Sequence, residues 1–490
     1  EDMPSFQKLK REIVLARYGI AQRVLAKAPT DTAGLQVSLL TGIRTYIPVE
    51  QTEALRTAGL AHILAISGLH MGLVALGVYS VLTFLLACIL PLSRRYDVRK
   101  IAAIGGMLTA TFYLVLSGGA IATQRAHIMV MIVFLAVILN RRAISMRSVA
   151  LAAAITLLWH PEALLSAGFQ MSFSAVAALV TVYRFWDSRR TYKAGARSKV
   201  VNGVTSLSIT SVVAGFATSG FAVLHFNRMA TYGLAGNLLA MPIFTFWVMP
   251  SAIAVFPAFL IGAEGVPLWI MGKGLEIVLS LSEWVTDWPG AVAQIAAAPG
   301  WLVGVYALAF CALCLGPQIP RLMALPVIAA CIVVWYVAPH PDLRVSQDGA
   351  VAFWSEEGDP ALFVDRKRAD RYGREQFTRR AGMAPPPLIV FSKGRATCDA
   401  LACRAIIKGR TVSITNYPSE VPIECRTADV VILSNRKAGP VARRQCQAAL
   451  IDGRVLASSG AQDLYFQKGD IRQISALTPA RKNRPWGHPF

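Results

Sequence analysis

The chain has 490 residues, 54% of them hydrophobic and 16% charged, with a mean hydropathy of +0.48. Soluble domains carry about 25% charged residues, so this composition excludes an ordinary water-soluble protein and makes the bilayer the natural solvent. The formal charge of +21 would suit a nucleic-acid partner, yet more than half of the excess sits in short loops beside apolar runs, where the positive-inside rule accounts for it without a ligand.

The chain opens at Glu1, which reads as a mature or excised product in which no signal peptide can be seen. Leu9, Ile13, Ala16, Ile20 and Val24 follow at helical spacing, with Lys8, Arg11, Arg23 and Lys27 elsewhere around the turn. That pattern predicts a basic amphipathic segment over residues 1–54, suited to a membrane surface. Residues 55–70 and 161–170 are too polar and too glycine-punctuated for simple spans. Irregular backbone at membrane depth is tolerated only where protein or a water-filled cavity satisfies it, so both are expected to line a path.

A span needs roughly 20 mostly apolar residues. Residues 71–91 form the clearest one and run into Arg94, Arg95, Arg99 and Lys100. Further spans are expected at 101–117, 126–140, 148–160, 169–186, 204–225, 231–249, 250–262, 299–316 and 322–338, with an interfacial segment over 266–288. Arg141, Arg142 and Arg147 mark a second basic loop, and Arg184, Arg189, Arg190, Lys193, Arg197 and Lys199 a third. Every second loop is basic, so these loops are expected in the cytoplasm. Counting crossings outward puts the N-terminal segment and the tail on the non-cytoplasmic side. The six basic residues from Lys8 to Lys27 are awkward for that location.

The predicted architecture is therefore an all-α polytopic membrane core with broken or re-entrant helices over 55–338, followed by a small soluble α+β domain over 339–490. The tail carries short alternating runs at 361–365, 387–391, 411–415 and 429–433 separated by Gly, Pro and charge, the signature of a strand-rich domain. Cys88, Cys311, Cys314 and Cys331 lie in apolar runs, whereas Cys398, Cys403, Cys425 and Cys446 lie in the tail. Four cysteines in a non-cytoplasmic tail suggest two disulfides in any of three pairings. Zinc is the competing reading, but Cys398 and Cys403 are loosely spaced and lack a nearby histidine.

His62, Ser67 and His70 fall within nine residues. A nucleophilic reading would have Ser67 attack with a histidine as base, but no G-x-S-x-G elbow or nearby acidic orienting residue accompanies it. A metal held by His62 and His70 is poor, because eight residues put them about 80° apart around a continuous helix. A helix broken at Ser67-Gly68 beside a polar cavity, exposing backbone donors and acceptors, costs least. Ionisable residues at membrane depth are functional candidates, and Arg125, Arg228 and Lys273 are the core cations outside the basic loops. For Arg125 the ordinary alternative is snorkelling to the interface. His127, Gln170, Ser172 and Asn237 sit in or beside apolar runs, where inter-helix hydrogen bonds are the ordinary reading.

Five stretches occur together in order: GLAHILAISGLHMGLV (59–74), LSGGAIATQRAHIM (116–129), NRRAISMRSVAL (140–151), HPEALLSAGFQMSFSAVAAL (160–179) and GNLLAMP (236–242). Over residues 30–315 the chain resembles the competence domain of the ComEC family. The resemblance implies a channel that passes transforming DNA, as a single strand, across the bacterial cytoplasmic (inner) membrane during natural competence. The matched polar positions are His62, Ser67, Gly68 and His70; Gln124 and Arg125; Arg141 and Arg142; Pro161, Gln170 and Ser172; and Asn237 and Pro242. Arg125 is the best candidate for a phosphate contact, since a strand needs a wet path with weak cationic and aromatic contacts.

The resemblance also implies an external DNA receptor and a cytoplasmic ATPase as partners, beside the membrane lipids. Energy must come from elsewhere, because no G-x-x-x-x-G-K-[ST] loop is present. The N-terminal OB-like domain usual in the family is expected upstream of Glu1. The H-x-H-x-D-H motif of its metallo-β-lactamase-like domain is absent, the tail holding only His340 and His488. The tail is thus expected to be a catalytically silent, shortened version at most. Neither an enzyme nor a cofactor is expected, and homo-oligomerisation stays open. The rival readings are an intramembrane hydrolase using Ser67 and a carrier of small polar solutes.

Overall fold

The structure, a computed structural model, describes residues 5–64, 66–189, 199–354, 361–365, 368, 370–383, 388–390, 396–434, 437–467 and 470–475. Arg190, Lys193 and Arg197 of the third basic loop, and His488, lie outside the described residues. The chain divides into two compact units.

The first unit is helical. Its N-terminal part runs α1 (Ser5–Lys27), α2 (Thr30–Thr41), α3 (Val49–Thr57), a 3-10 turn (Ala61–Ile63), α4 (Gly68–Cys88), α5 (Leu90–Arg95), α6 (Val98–Leu116), α7 (Ile121–Ile138) and α8 (Met146–Trp159). A second 3-10 turn (Pro161–Leu165), α9 (Ala167–Arg189), α10 (Lys199–Phe226), β1 (Arg228–Ala230), α11 (Gly233–Ile243), a π turn (Phe244–Val248), α12 (Met249–Leu260), α13 (Gly265–Thr286), β2 (Val292–Gln294), α14 (Gly300–Leu315) and α15 (Gln318–Val337) follow. Asp97 and Ser145 stand before α6 and α8 and accept the backbone N–H of Arg99 and Ser148, so both helices begin where side-chain acceptors satisfy their first donors. α7 ends at Asn140 in the left-handed region, with the Arg141 N–H closing onto Ala136 O at 2.8 Å.

Seven helices among the described residues are long and apolar enough to cross a membrane. The polytopic helical core is as the sequence predicts, but the expected spans 148–160, 169–186 and 299–316 fall on α8, α9 and α14, which are not among the seven, and three further corrections follow. Residues 231–249 and 250–262, expected as two spans, form one apolar run, Gly233–Leu260. Pro250 lacks an N–H and would clash with the carbonyl four residues back, and the π turn before it, where the Met249 N–H bonds Phe244 O, absorbs the misfit without ending the helix. The expected interfacial segment 266–288 is α13, which meets the criteria for a span and places Leu268, Met271, Leu275 and Val278 in the core. Its charges are muted locally, Lys273 Nζ lying 2.7 Å from Glu276 Oε2 one turn on. Finally, α2 falls within the expected surface segment 1–54 but is buried almost throughout, including Thr32, Gln36, Ser38 and Thr41. Most of its polar groups are matched, Gln36 Nε2 donating to Thr32 Oγ1 at 3.1 Å and Ser38 Oγ to Leu64 O at 3.2 Å, while Gln36 Oε1 has no partner among the described residues.

The second unit comprises Ala330 onward with two short inserts, 226–228 and 294–302. It contains β3 (Leu343–Val345), β4 (Val351–Trp354), β5 (Leu362–Val364), α16 (Arg371–Arg380), β6 (Leu388–Val390), β7 (Ala396–Cys398), β8 (Ala402–Ile407), β9 (Arg410–Thr415), α17 (Val421–Thr427), β10 (Val430–Leu433), α18 (Pro440–Gln445), β11 (Ala449–Ile451), α19 (Gly453–Ser459), β12 (Gln462–Gln467) and β13 (Asp470–Ser475). The strands form a six-stranded sheet, β13-β12-β3-β4-β5-β6, and a five-stranded sheet, β11-β10-β9-β8-β7.

Period-two alternation dictates the layering. Val351 and Phe353 of β4 meet Val430 and Ile432 of β10 in one core between the sheets. The intervening residues face outward: Ala352 and Trp354 pack on Phe377 of α16, and Val431 and Leu433 on Val421 and Cys425 of α17. The result is a helix, sheet, sheet, helix sandwich, in agreement with the expected α+β domain. Disulfides join Cys398 to Cys403, paired across β7 and β8, and Cys425 in α17 to Cys446 just beyond α18.

Candidate functional site

The five sequence stretches fold into two polar clusters and one separate loop, all in the first unit. The first cluster joins the first stretch to the fifth. Leu55 to Leu60 closes α3 with Gly59 at φ +76°, and a Cβ there would lie 2.5 Å from the Gly233 Cα. A Cβ on Gly236 would overlap the Ala58 carbonyl oxygen. Two backbones therefore meet without side chains between them, which only glycine permits. His62 Nε2 then lies 3.4 Å from Met241 Sδ, and the His70 ring meets Phe244 edge-on at 5.1 Å.

Ser67 is extended and precedes α4, so the helix restarts at Gly68. The Ser67 backbone N–H donates to His70 Nδ1 at 3.1 Å, and the Ser67 hydroxyl lies 2.9 Å from the same nitrogen. Histidine here fills the place that Glu or Gln takes in a capping box. His70 is fully buried and its Nε2 has no partner among the described residues, so no third group among them orients the ring as a catalytic base requires. Asn237 Nδ2 donates to Gly233 O at 2.7 Å within its own helix.

The second cluster joins the second stretch to the fourth. Gln124 Nε2 donates to Gly119 O at 2.7 Å, which leaves Gln124 Oε1 to accept from His160 Nε2 at 3.0 Å. His160 Nδ1 lies 3.1 Å from Glu162 Oε1. On α9, Gln170 Nε2 donates to Leu164 O at 3.1 Å and its Oε1 accepts from His225 Nε2 at 2.8 Å. Between α6 and α7, Thr111 Oγ1 and His127 Nε2 are 3.0 Å apart.

Arg125 of α7 lies against α9. It is 6% exposed, its buried Nε has no partner, and its guanidinium lies against Gly168, where a Cβ would come within 3.0 Å of Nη2. No carboxylate among the described residues pairs with it. Ser172 lies one turn beyond Gly168 on the same side of α9. A buried positive charge with an unspent Nε donor, lying against a glycine, is an arrangement for an anion.

Arg141 and Arg142 belong to neither cluster. They follow the opposite end of α7 from Arg125, about 24 Å away at 1.5 Å per residue. His160, Glu162 and His225 were not singled out in the sequence. The first two had a signal in the His-Pro-Glu run before α9, whereas a lone histidine closing a long apolar helix has none.

The profile of the competence protein family matches residues 39–320, more than half of the chain. The chain belongs to this family. It is 26% identical over 248 residues to ComE operon protein 3 of Bacillus subtilis, covering 51% of this chain and 29% of that protein. It is 29% identical over 346 residues to Competence protein ComA of Neisseria gonorrhoeae, covering 70% and 46%. With Recombination protein 2 of Haemophilus influenzae it shares 28% over 225 residues, covering 46% and 28%. The chain thus spans less than half the length of each of these relatives. No solved structure matches it. The family match contains both polar clusters and the separate arginine loop.

Proposed function

We propose that this competence-family chain is part of a channel in the bacterial cytoplasmic membrane that passes single-stranded transforming DNA, and that Arg125 contacts its phosphates. The observation carrying this reading is a buried guanidinium that no carboxylate among the described residues neutralises. Burying a cation is costly unless something compensates it, and a passing polyanion compensates it during transport. Residues 55–338 would form the transport domain and 339–490 a catalytically silent domain outside the cytoplasm, a location favoured by its two cystine bridges. An external receptor would deliver the strand, and a cytoplasmic ATPase would supply the energy.

The test is restoration of a deletion of the whole gene in a naturally transformable host. Wild type should restore transformation, Arg125→Ala should lower it at least about tenfold, and Arg125→Lys should recover most of it. Undiminished transformation in the deletion strain would sink the channel reading. Wild-type uptake with Arg125→Ala would return Arg125 to the status of an interfacial anchor.

The 2.9 Å approach of Ser67 Oγ to His70 Nδ1 is the one feature favouring a second reading, a hydrolase. The missing orienting group and the capping role of the same atoms favour the channel.

A further inference from the structure

Beyond α7 the chain opens a cavity of about 800 Å³, within the roughly 300–1,000 Å³ usual for ligand sites. Four arginines border it: Arg141 and Arg142 from the turn, Arg147 from the first turn of α8, and Arg184 from α9. None has a carboxylate partner among the described side chains, and no acidic residue lines the cavity. The start of α8 adds its own positive end, with Ser145 and Ser148 hydroxyls 2.9 Å apart beside it. The remaining wall is aliphatic, chiefly Leu135, Leu139, Ile144 and Leu151, each about half exposed or more.

We infer that this cavity binds an anionic phospholipid, with headgroup phosphate on the arginines and upper acyl chains along the aliphatic wall. A basic pocket between helices at the interface suits a lipid phosphate, and the greasy half of the cavity suits the chain attached to it. A nucleic-acid strand is the poorer match. Strand-binding grooves add aromatic platforms to their cations, and the cavity has no aromatic residue in its lining. Arg141 and Arg142 thereby leave the DNA path and become lipid contacts. The inference is independent of the role of Arg125, at the other end of α7.

The full chain, purified in mild detergent, is offered phosphatidylglycerol, phosphatidylcholine, inorganic phosphate or a single-stranded oligonucleotide, and retained lipid is read by native mass spectrometry. Phosphatidylglycerol should be retained in preference to phosphatidylcholine. The Arg141→Gln, Arg142→Gln, Arg147→Gln, Arg184→Gln variant should lose it at least about tenfold, since each interfacial cation is worth about fivefold. A control lacking Arg94, Arg95 and Arg99 through Gln substitutions should lose less than about twofold. If the quadruple variant does not fold, the pairs Arg141→Gln with Arg142→Gln and Arg147→Gln with Arg184→Gln carry the same comparison. Equal retention by variant and wild type overturns the proposal, as does equal loss in the control. Displacement of the lipid by the oligonucleotide or by phosphate at matched concentration also overturns it.

Discussion

Two arginines, Arg17 half-buried and Arg125 buried, show how one residue type acquires opposite roles. Arg17 of α1 donates to Thr41 O at 2.9 Å and to Ser117 O at 3.4 Å, the carbonyls that close α2 and follow α6. Its charge is met by helix C-terminal ends, which carry partial negative charge, and its function is structural. Arg125 has no such acceptor, and that difference separates a candidate site from a fastening. Ser67 belongs with Arg17. Ser67→Ala removes one hydroxyl near His70 but keeps the backbone bond to its ring, so a loss of about 0.5–2 kcal/mol is expected, with transformation within a few fold of wild type. Abolished transformation at normal protein level would instead make the hydroxyl a nucleophile.

At the scale of elements, function depends on backbones that touch. The meeting of Gly59 with Gly233 and of Gly236 with Ala58 is what brings the first and fifth stretches together. Gly236→Ala has no empty space for its methyl and meets rigid backbone, so it should destabilise the core by about 1–3 kcal/mol, read as a lowered melting temperature in detergent and reduced abundance. Melting unchanged from wild type would mean that these helices are not docked as described. Gly168→Ala is expected to be milder, because its neighbour is the movable end of Arg125. The spacing of apolar runs was enough to locate most helices. It could not show that Pro250 continues a helix or that the polar α2 is buried, because both outcomes rest on partners distant in sequence.

At the scale of the whole molecule, the two units follow different chemistry. The second unit relies on disulfides and an ion pair in which Arg404 Nε donates to Glu424 Oε2 at 2.8 Å. The Arg404 guanidinium holds the Glu424 carboxyl below the usual carboxylate range. A lowered folded pKa means stability that is complete above the ordinary value of about 4.3 and is lost as the pH falls through the folded value. Glu424→Gln should therefore flatten the acid limb of unfolding for the tail strands, followed by hydrogen exchange corrected for intrinsic rate between about pH 7 and about pH 3. An acid limb as steep as wild type would exclude Glu424 as its source.

The sequence by itself determined the membrane class, most of the helices, the strand-rich tail and the family, because apolar periodicity and short motifs are local properties of the chain. The tertiary structure alone decided which polar residues share a site. It joined Gln124 to His160, set Arg125 against Gly168 without a counter-charge among the described residues, gathered four arginines around an aliphatic cavity, and chose one of three disulfide pairings. Burial, proximity and the absence of a partner are properties of packed surfaces, and no local spacing encodes them.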